Sequence, residues 1–201
     1  MNRQAIEKHI ASLTAGQVFT PKSLHGYGSR ANIDQVLSRL FKAGVLQREA
    51  RGLYLKPITS RFTGQPLPAQ LHQVLEVIAE SNHEVIAPHG VVAVNQFGLS
   101  TQNQLRPVYY TTGRSRKLKI GHQVVELKHV NPKRLLLGHS KAGLALTAMR
   151  YLGKKALEPM MVKQIRQQLE PEEWQQLLAV RLTQPEWLIG LLETSAETNY
   201  A

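Results

Sequence analysis

The chain has 201 residues, of which 42% are apolar and 19% charged, and its 25 basic residues outnumber its 14 acidic residues to give a formal charge of +11. This composition predicts a folded chain with a substantial core and excludes an intrinsically disordered protein. The lack of cysteine excludes a disulfide framework, a cysteine zinc site and a thiol nucleophile, and it agrees with a reducing compartment. No apolar run reaches about 18 residues, so we predict a cytoplasmic protein with no membrane partner.

The basic charge is concentrated in two blocks. Residues 1–64 carry ten basic and three acidic residues, and residues 106–134 carry eight basic residues and one acidic residue. Residues 65–105 carry three acidic residues and no basic ones, and the remainder is balanced. A charge excess of this size usually faces a polyanion. The two blocks therefore indicate nucleic acid as a partner, with a diffusely solvated surface as the alternative.

The first block begins with two helices and a turn. Apolar residues recur at helical spacing across Arg3–Leu13 and predict a first helix. Thr20 followed by Pro21 predicts the capped start of a short second helix. The two glycines of His25–Gly28 permit positive backbone angles, so this segment is predicted to be a turn.

A third helix is predicted from Arg30 to about Ala43, with Ser29 as its N-cap. One apolar stripe at positions i, i+3, i+4, i+7 and i+8 consists of Ile33, Val36, Leu37, Leu40 and Phe41. The opposite face carries polar and basic side chains of the kind that read base edges and contact phosphates. On this face and its flanks, beside Ala31, the candidate DNA-binding residues are Ser29, Arg30, Asn32, Gln35, Ser38, Arg39 and Lys42.

Two short alternating segments after the third helix predict a β-hairpin. Val45–Arg48 and Leu53–Lys56 are its strands, and Glu49–Gly52 joins them. Helices followed by a basic hairpin are the layout of a winged helix-turn-helix, in which the third helix enters the major groove and the wing follows the backbone. Arg48 and Arg51 are therefore predicted to contact phosphate or the minor groove. Winged helices that bind proteins share this layout, which leaves protein interaction as an alternative.

A linker is predicted between two domains. Residues 57–68 contain three prolines and a glycine among Ser and Thr, a composition typical of linkers. We therefore predict a winged helix-turn-helix domain at residues 1–60 and a C-terminal domain at residues 66–201.

The C-terminal domain is predicted to mix helices and strands. Helices are expected at Leu71–Asn82 and from Ala87 to Gly98, and again beyond Pro132. Three β-rich segments between Val108 and Lys128 predict a small antiparallel sheet. The predicted fold class is α+β, with an N-terminal winged helix-turn-helix, a mixed domain with a small antiparallel sheet, and C-terminal helices.

A basic turn is predicted between two of these strands. It carries Arg114, Arg116 and Lys117, with Lys119 just beyond it. These residues are candidates for additional contacts with DNA phosphates or with an acidic partner surface. An exposed loop kept soluble by its charge is the alternative interpretation.

Several segments resemble the AbiEi-type antitoxins of abortive-infection systems. They are Val18–Pro21 at the start of the second helix, Leu37–Leu40 in the third helix with Lys42–Leu46 at its end, and the Arg-Glu-Ala-Arg-Gly-Leu-Tyr wing at Arg48–Tyr54. Ala87–Leu99 is similar to the helix of that family that ends in Gly-Leu. The resemblance covers residues 1–155.

The resemblance implies the antitoxin of a toxin–antitoxin operon that acts in phage defence. In such proteins the winged helix represses the promoter of its own operon, and the C-terminal domain neutralises a nucleotidyltransferase-like toxin encoded beside it. The implied partners are double-stranded promoter DNA and the toxin, contacted directly or indirectly. Since one winged helix has a short footprint, we expect two copies on an inverted repeat. The resemblance assigns DNA binding to Ser29, Arg30, Gln35, Arg39, Lys42, Arg48 and Arg51.

No catalytic arrangement stands out in the sequence. It has no P-loop, zinc-protease, nucleophile-elbow or dinucleotide motif, and its eight histidines lack the pairing that places two metal ligands on one helix face. Acidic residues are scarce between Arg51 and Arg134, which disfavours a two-metal nuclease. We therefore predict a protein that is not an enzyme and has no cofactor or metal. The alternatives are a winged-helix module that binds an acidic protein without specific DNA recognition, and a nucleic-acid-modifying enzyme.

Overall fold

The computed structural model describes residues 3–102 and 104–197, and the chain forms two compact units. The first unit consists of the residues up to Glu84 together with Leu118–Val124. The second consists of Val85–Lys117 and the residues from Val125 onward. The first boundary between the units thus lies after residue 84, whereas the sequence predicts a domain boundary between residues 60 and 66.

Helices and a three-stranded sheet form the winged helix of the first unit. The elements are α1 (Arg3–Ser12), β1 (Val18–Phe19), a 3₁₀ helix (Pro21–Tyr27), α2 (Arg30–Lys42), β2 (Gln47–Ala50) and β3 (Leu53–Leu55). The strands pair antiparallel in the order β1-β3-β2, with Val18 opposite Leu55. The first and third predicted helices are confirmed, the short second one is a 3₁₀ helix, and β1 was not predicted. Its two residues are too few to show an alternating pattern.

The core of the first unit is built on the apolar stripe of α2. Ile33, Val36 and Leu37 are buried and pack with α1, the 3₁₀ helix and β3. Phe41 differs from the prediction, because 45% of its surface is exposed. At 100° per residue it lies at the edge of the stripe in the last turn of α2, where burial has ended.

Two local predictions about the second helix are wrong. Thr20 makes no capping hydrogen bond, and its Oγ1 lies 3.4 Å from Ser81 Oγ instead. The 3₁₀ helix runs through the predicted turn to Tyr27, and neither Gly26 nor Gly28 has a left-handed φ, since Gly28 is extended at φ 166°. The turn is therefore made by helical residues rather than by glycines with positive φ.

The predicted linker is partly ordered into a small hairpin. β4 (Ile58–Thr59) pairs antiparallel with β5 (Pro66–Leu67). Helix α3 (Leu71–Asn82) follows with the predicted bounds, and Lys22 Nζ donates to Ser81 O at 2.6 Å. Because α3 packs in this way within the first unit, that unit extends beyond residue 60.

The second unit combines strands with a helical layer. Its elements, two of which extend into Leu118–Val124, are β6 (Ile86–Pro88), α4 (Gly90–Gln96), β7 (Val108–Thr111), β8 (Arg116–Ile120), β9 (Gln123–His129), α5 (Lys141–Ala156), α6 (Pro159–Gln167), α7 (Pro171–Ala179) and α8 (Glu186–Glu197). The α+β class with C-terminal helices is confirmed. The core consists of buried apolar residues from α4 to α8, including Phe97, Met149 and Trp174. None of the helices in the described residues combines the length and the apolar composition that a membrane span requires.

The four-stranded sheet differs from the prediction in one pairing and one strand. Its order is β6-β7-β9-β8, and β7 pairs antiparallel with β6 but parallel with β9. The sheet is therefore mixed. Residues 86–88 form β6 instead of the predicted start of a helix, because a residue that precedes proline, here Ala87, favours extended backbone.

Two helical glycines of the second unit give opposite predictions for stability. A Cβ on Gly143 would lie 2.6 Å from Gly138 O and 2.9 Å from Leu137 O, whereas one on Gly190 would meet nothing within 4 Å. Gly143→Ala is expected to lower the free energy of unfolding by about 1–3 kcal/mol through overpacking. Gly190→Ala is expected to raise it by about 0.5–1 kcal/mol through the better helix propensity of alanine. Urea unfolding measures both, and equal shifts would contradict this account.

Candidate nucleic-acid interface

The polar face of α2 points to solvent because the opposite stripe is fixed in the core. Six of the seven candidate side chains there are exposed, and Asn32 is half-buried. Ser29 caps the helix as predicted, since its side chain accepts a hydrogen bond from Asn32 N at 3.4 Å. With 13 residues, α2 is about 20 Å long and has the dimensions of a helix that enters a major groove.

One acidic residue at the flank of this face, Asp34, was not considered in the sequence-based prediction of the interface. Asp34 Oδ2 lies 2.8 Å from Arg30 Nε, and about half of each side chain is exposed. The i, i+4 spacing of the two residues could have indicated this pair. An exposed ion pair contributes at most about 1 kcal/mol, so Arg30 can exchange Asp34 for a phosphate at small cost.

The wing follows α2 after a tight turn. Gly44 has φ +73°, and the backbone N–H groups of Val45 and Leu46 both donate to Leu40 O at 3.0 and 3.3 Å. Gly44 is exposed and left-handed, as expected of a residue that ends a helix. This turn holds the wing directly beside the C-terminal end of α2.

The two wing arginines are exposed. Arg48 lies on β2 opposite Tyr54, and Arg51 lies in the turn, next to Gly52 with φ +73°. Strand β2 spans Gln47–Ala50 rather than the predicted Val45–Arg48, and an irregularity between Arg48 and Ala50 leaves Glu49 as an extra residue in the strand. The shift shortens the turn and leaves Arg51 at its tip.

Lys119 belongs to the same unit as the wing. It lies in Leu118–Val124, the tip of the β8–β9 hairpin, where Gly121 N donates to Glu49 O of the wing at 3.4 Å. Lys119 is exposed. It is therefore a further exposed basic group of the first unit.

The other basic residues of the second block belong to the second unit. Arg114 lies in the turn, whereas Arg116 and Lys117 lie in β8 rather than in the predicted turn. The turn is shorter than predicted, and side-chain hydrogen bonds order it. Ser115 Oγ accepts from His129 N, and the His129 ring donates to Gly113 O, both at 2.8 Å.

A cavity of about 500 Å³ in the first unit is chemically unlike a phosphate site. It lies between residues 14–18 and the first half of α3, and its lining contains Glu76 but no basic residue. Within the described parts of the chain, no three His, Asp or Glu side chains come together to hold a metal ion.

The first unit is thus a winged helix with an exposed, predominantly basic surface on α2 and the wing. It is followed by a mixed α and β unit. The chain belongs to a family of unknown function, DUF6088, whose sequence profile matches residues 5–177. No curated protein and no solved structure gives a significant match to the chain.

Proposed function

We propose that the protein is a sequence-specific DNA-binding repressor that reads the major groove with the exposed face of α2. The observation that carries the proposal is the division of α2 between two environments. Leu37 is fully buried, whereas its neighbours Ser38 and Arg39 are exposed. Such a helix is held rigidly by its core while its polar groups remain free to contact base edges.

The charge of the first unit supports the same proposal. Arg39, Lys42, Arg48 and Arg51 are exposed on consecutive elements, and none of them forms a salt bridge with the described residues. Basic groups that lack acidic partners are available to replace the counterions of a duplex. We assign base contacts to Gln35 and Arg39 and phosphate contacts to Lys42 and Arg51.

The resemblance to AbiEi-type antitoxins extends the proposal to a biological role. The protein would repress the promoter of its own toxin–antitoxin operon in the cytoplasm and counteract a nucleotidyltransferase-like toxin. Because one winged helix contacts only a short DNA site, two copies would bind the two halves of an inverted repeat. The proposal requires no catalytic step and no cofactor.

The second candidate is a winged-helix module that binds an acidic protein. Its support is the same exposed basic surface, because a protein rich in carboxylates is also a polyanion. The repressor is expected to distinguish its own promoter from other duplexes, whereas the protein-binding module is expected to bind all duplexes alike.

Specific binding to the DNA upstream of the gene is expected to exceed binding to a shuffled duplex by about 10³-fold or more. Fluorescence anisotropy with labelled duplexes at several salt concentrations measures both affinities. The slope of log K against log salt should be about −0.9 for each phosphate contacted, or about −4 for a copy that uses four or five basic residues. Equal affinities for the two duplexes would refute the repressor and favour the protein-binding module.

A further inference from the structure

A cluster of aromatic and basic side chains lies within the second unit. The His89 ring is 4.7 Å from the Tyr110 ring and 5.6 Å from the Tyr151 ring, measured between centroids. The guanidinium carbon of Arg134 lies 5.2 Å from the centroid of Tyr110. Arg150 precedes Tyr151 on α5, and its guanidinium lies close enough to Arg134 for the two positive charges to interact. These five residues are called the His89 cluster.

Close packing of α4 on α5 builds the cluster. His89 is the N-cap residue of α4, and the next residue, Gly90, is buried against Tyr151. A Cβ at position 90 would lie 2.3 Å from the Tyr151 ring, so glycine is required for this approach. The Ala-Pro-His-Gly segment therefore fixes His89 between two aromatic rings.

Hydrogen bonds define the protonation state of His89. Gln104 Nε2 donates to His89 Nδ1 at 2.7 Å, and Val91 N approaches the same atom at 3.4 Å. The Gln104 amide is oriented by its Oε1, which accepts from Val108 N at 3.3 Å. Because Nδ1 is an acceptor, the ring is neutral and its Nε2 carries the hydrogen. Burial, and then the charges of Lys128 and Arg134, outweigh the opposing effect of the Glu126 carboxylate and hold the pKa of His89 below its usual value.

The two arginines of the cluster lack acidic partners. Neither Arg134 nor Arg150 forms a salt bridge with the described residues, and Arg150 Nε is buried without a hydrogen-bond partner there. Burial lowers the pKa of the Arg150 guanidinium, and the positive charge of Arg134 lowers it further. Arg134 gains a cation–π contact with Tyr110, but like charges in a half-buried site remain costly without an anion.

We propose that the His89 cluster binds the phosphate group of a small ligand, with Arg134 and Arg150 as its counter-ions and His89 Nε2–H as a neutral donor. Guanidinium groups match the geometry of phosphate oxygens through paired hydrogen bonds. Tyr151, whose surface is 41% exposed, provides an apolar wall beside the phosphate. The half-buried position of Arg150 favours a terminal phosphate over the backbone of a duplex, which presents its phosphates on a convex surface. This site goes beyond the proposed repressor activity and does not depend on it.

The probes for the test are inorganic phosphate and pyrophosphate, added to the full chain at constant ionic strength with chloride as the control. Isothermal titration calorimetry is expected to detect saturable binding of at least one of them. At a concentration of about 100 times Kd, the bound anion should raise the Tm of thermal unfolding by about 5–10 °C. Lack of saturable binding at millimolar concentrations of both probes would overturn the proposal.

Arg150→Gln and Arg134→Gln are each expected to weaken the binding of the anion about 10- to 100-fold, because each removes a charge-assisted hydrogen bond. Lys155→Gln, at the exposed end of α5, is the matched control and should leave the affinity unchanged. If Arg150→Gln does not fold, Arg134→Gln provides the same measurement. Unchanged affinity in a folded arginine variant would overturn the assignment. A third outcome is that the arginine variants bind random duplex DNA more weakly than the unaltered protein does, while neither phosphate nor pyrophosphate binds. That outcome would overturn the proposal and assign the arginines to contacts with the DNA backbone.

Discussion

Gln35→Ala or Arg39→Ala is expected to weaken promoter binding by about 1–3 kcal/mol and to relax the preference for particular bases. Lys42→Ala or Arg51→Ala is expected to weaken binding to every duplex by a similar factor. The difference follows from position. Gln35 and Arg39 lie on the body of α2, which would enter the major groove in the proposed complex, whereas Lys42 and Arg51 lie at its C-terminal end and on the wing tip.

The measurement is the affinity of each variant for the promoter duplex and for a set of duplexes with single base-pair changes. Lys163→Ala, an exposed lysine of α6, is the control for a general loss of positive charge. The salt slope should fall by about 1 for Lys42→Ala and for Arg51→Ala. A uniform loss across all duplexes in all four interface variants would contradict the assignment of base contacts.

Leu37→Ala is expected to lower the free energy of unfolding of the first unit by about 2–5 kcal/mol. Leu37 has no exposed surface and lies in the centre of the core of the winged helix. Its removal deletes buried methyl groups and leaves a cavity between α1, the 3₁₀ helix and α2. Guanidinium unfolding monitored by circular dichroism measures the change.

Phe41→Ala is the matched control for Leu37→Ala. Both residues belong to the apolar stripe of α2, but Phe41 is 45% exposed. Its replacement is therefore expected to cost less than about half as much, because less apolar surface leaves water on folding. A larger loss for Phe41→Ala than for Leu37→Ala would show that α2 is rotated so that Phe41, rather than Leu37, faces the core.

The helices of the first unit could be predicted from sequence because their signals are local. A stripe at helical spacing, Ser29 as a cap and Gly44 as a stop are all contained within about 16 residues of the chain. Strand β1 could not be predicted, because its two residues are extended by pairing with β3 at Leu55. Pairing between segments that are distant in sequence leaves no periodic signal in so short a strand.

The burial of individual residues was also set by tertiary packing. Phe41 and Leu37 have the same apolar character and lie four residues apart on one stripe, yet the structure buries one and exposes the other. The apolar pattern identifies which face of a helix is buried, whereas the neighbouring elements determine how many residues along that face they cover.

The candidate α2 surface was predictable as a set of residues, but the His89 cluster was not. Each candidate on α2 follows from its angle on one helix. The cluster combines a helix cap, strand β7, a short 3₁₀ helix (Pro132–Arg134) and α5, which contribute His89, Tyr110, Arg134 and Arg150. Residues that converge from separate elements can be recognised as a group when the fold is known.

The contact between Gly121 and Glu49 has a consequence for the solubility of isolated fragments. β2 is an edge strand of the wing sheet, and the backbone N–H of Gly121 donates a hydrogen bond to the Glu49 carbonyl on that edge. Open sheet edges are templates for pairing between molecules. A fragment that ends at Glu84 lacks Leu118–Val124 and keeps this edge uncovered. The hairpin tip therefore protects the wing from edge-to-edge aggregation. It belongs to a segment more than sixty residues further along the chain.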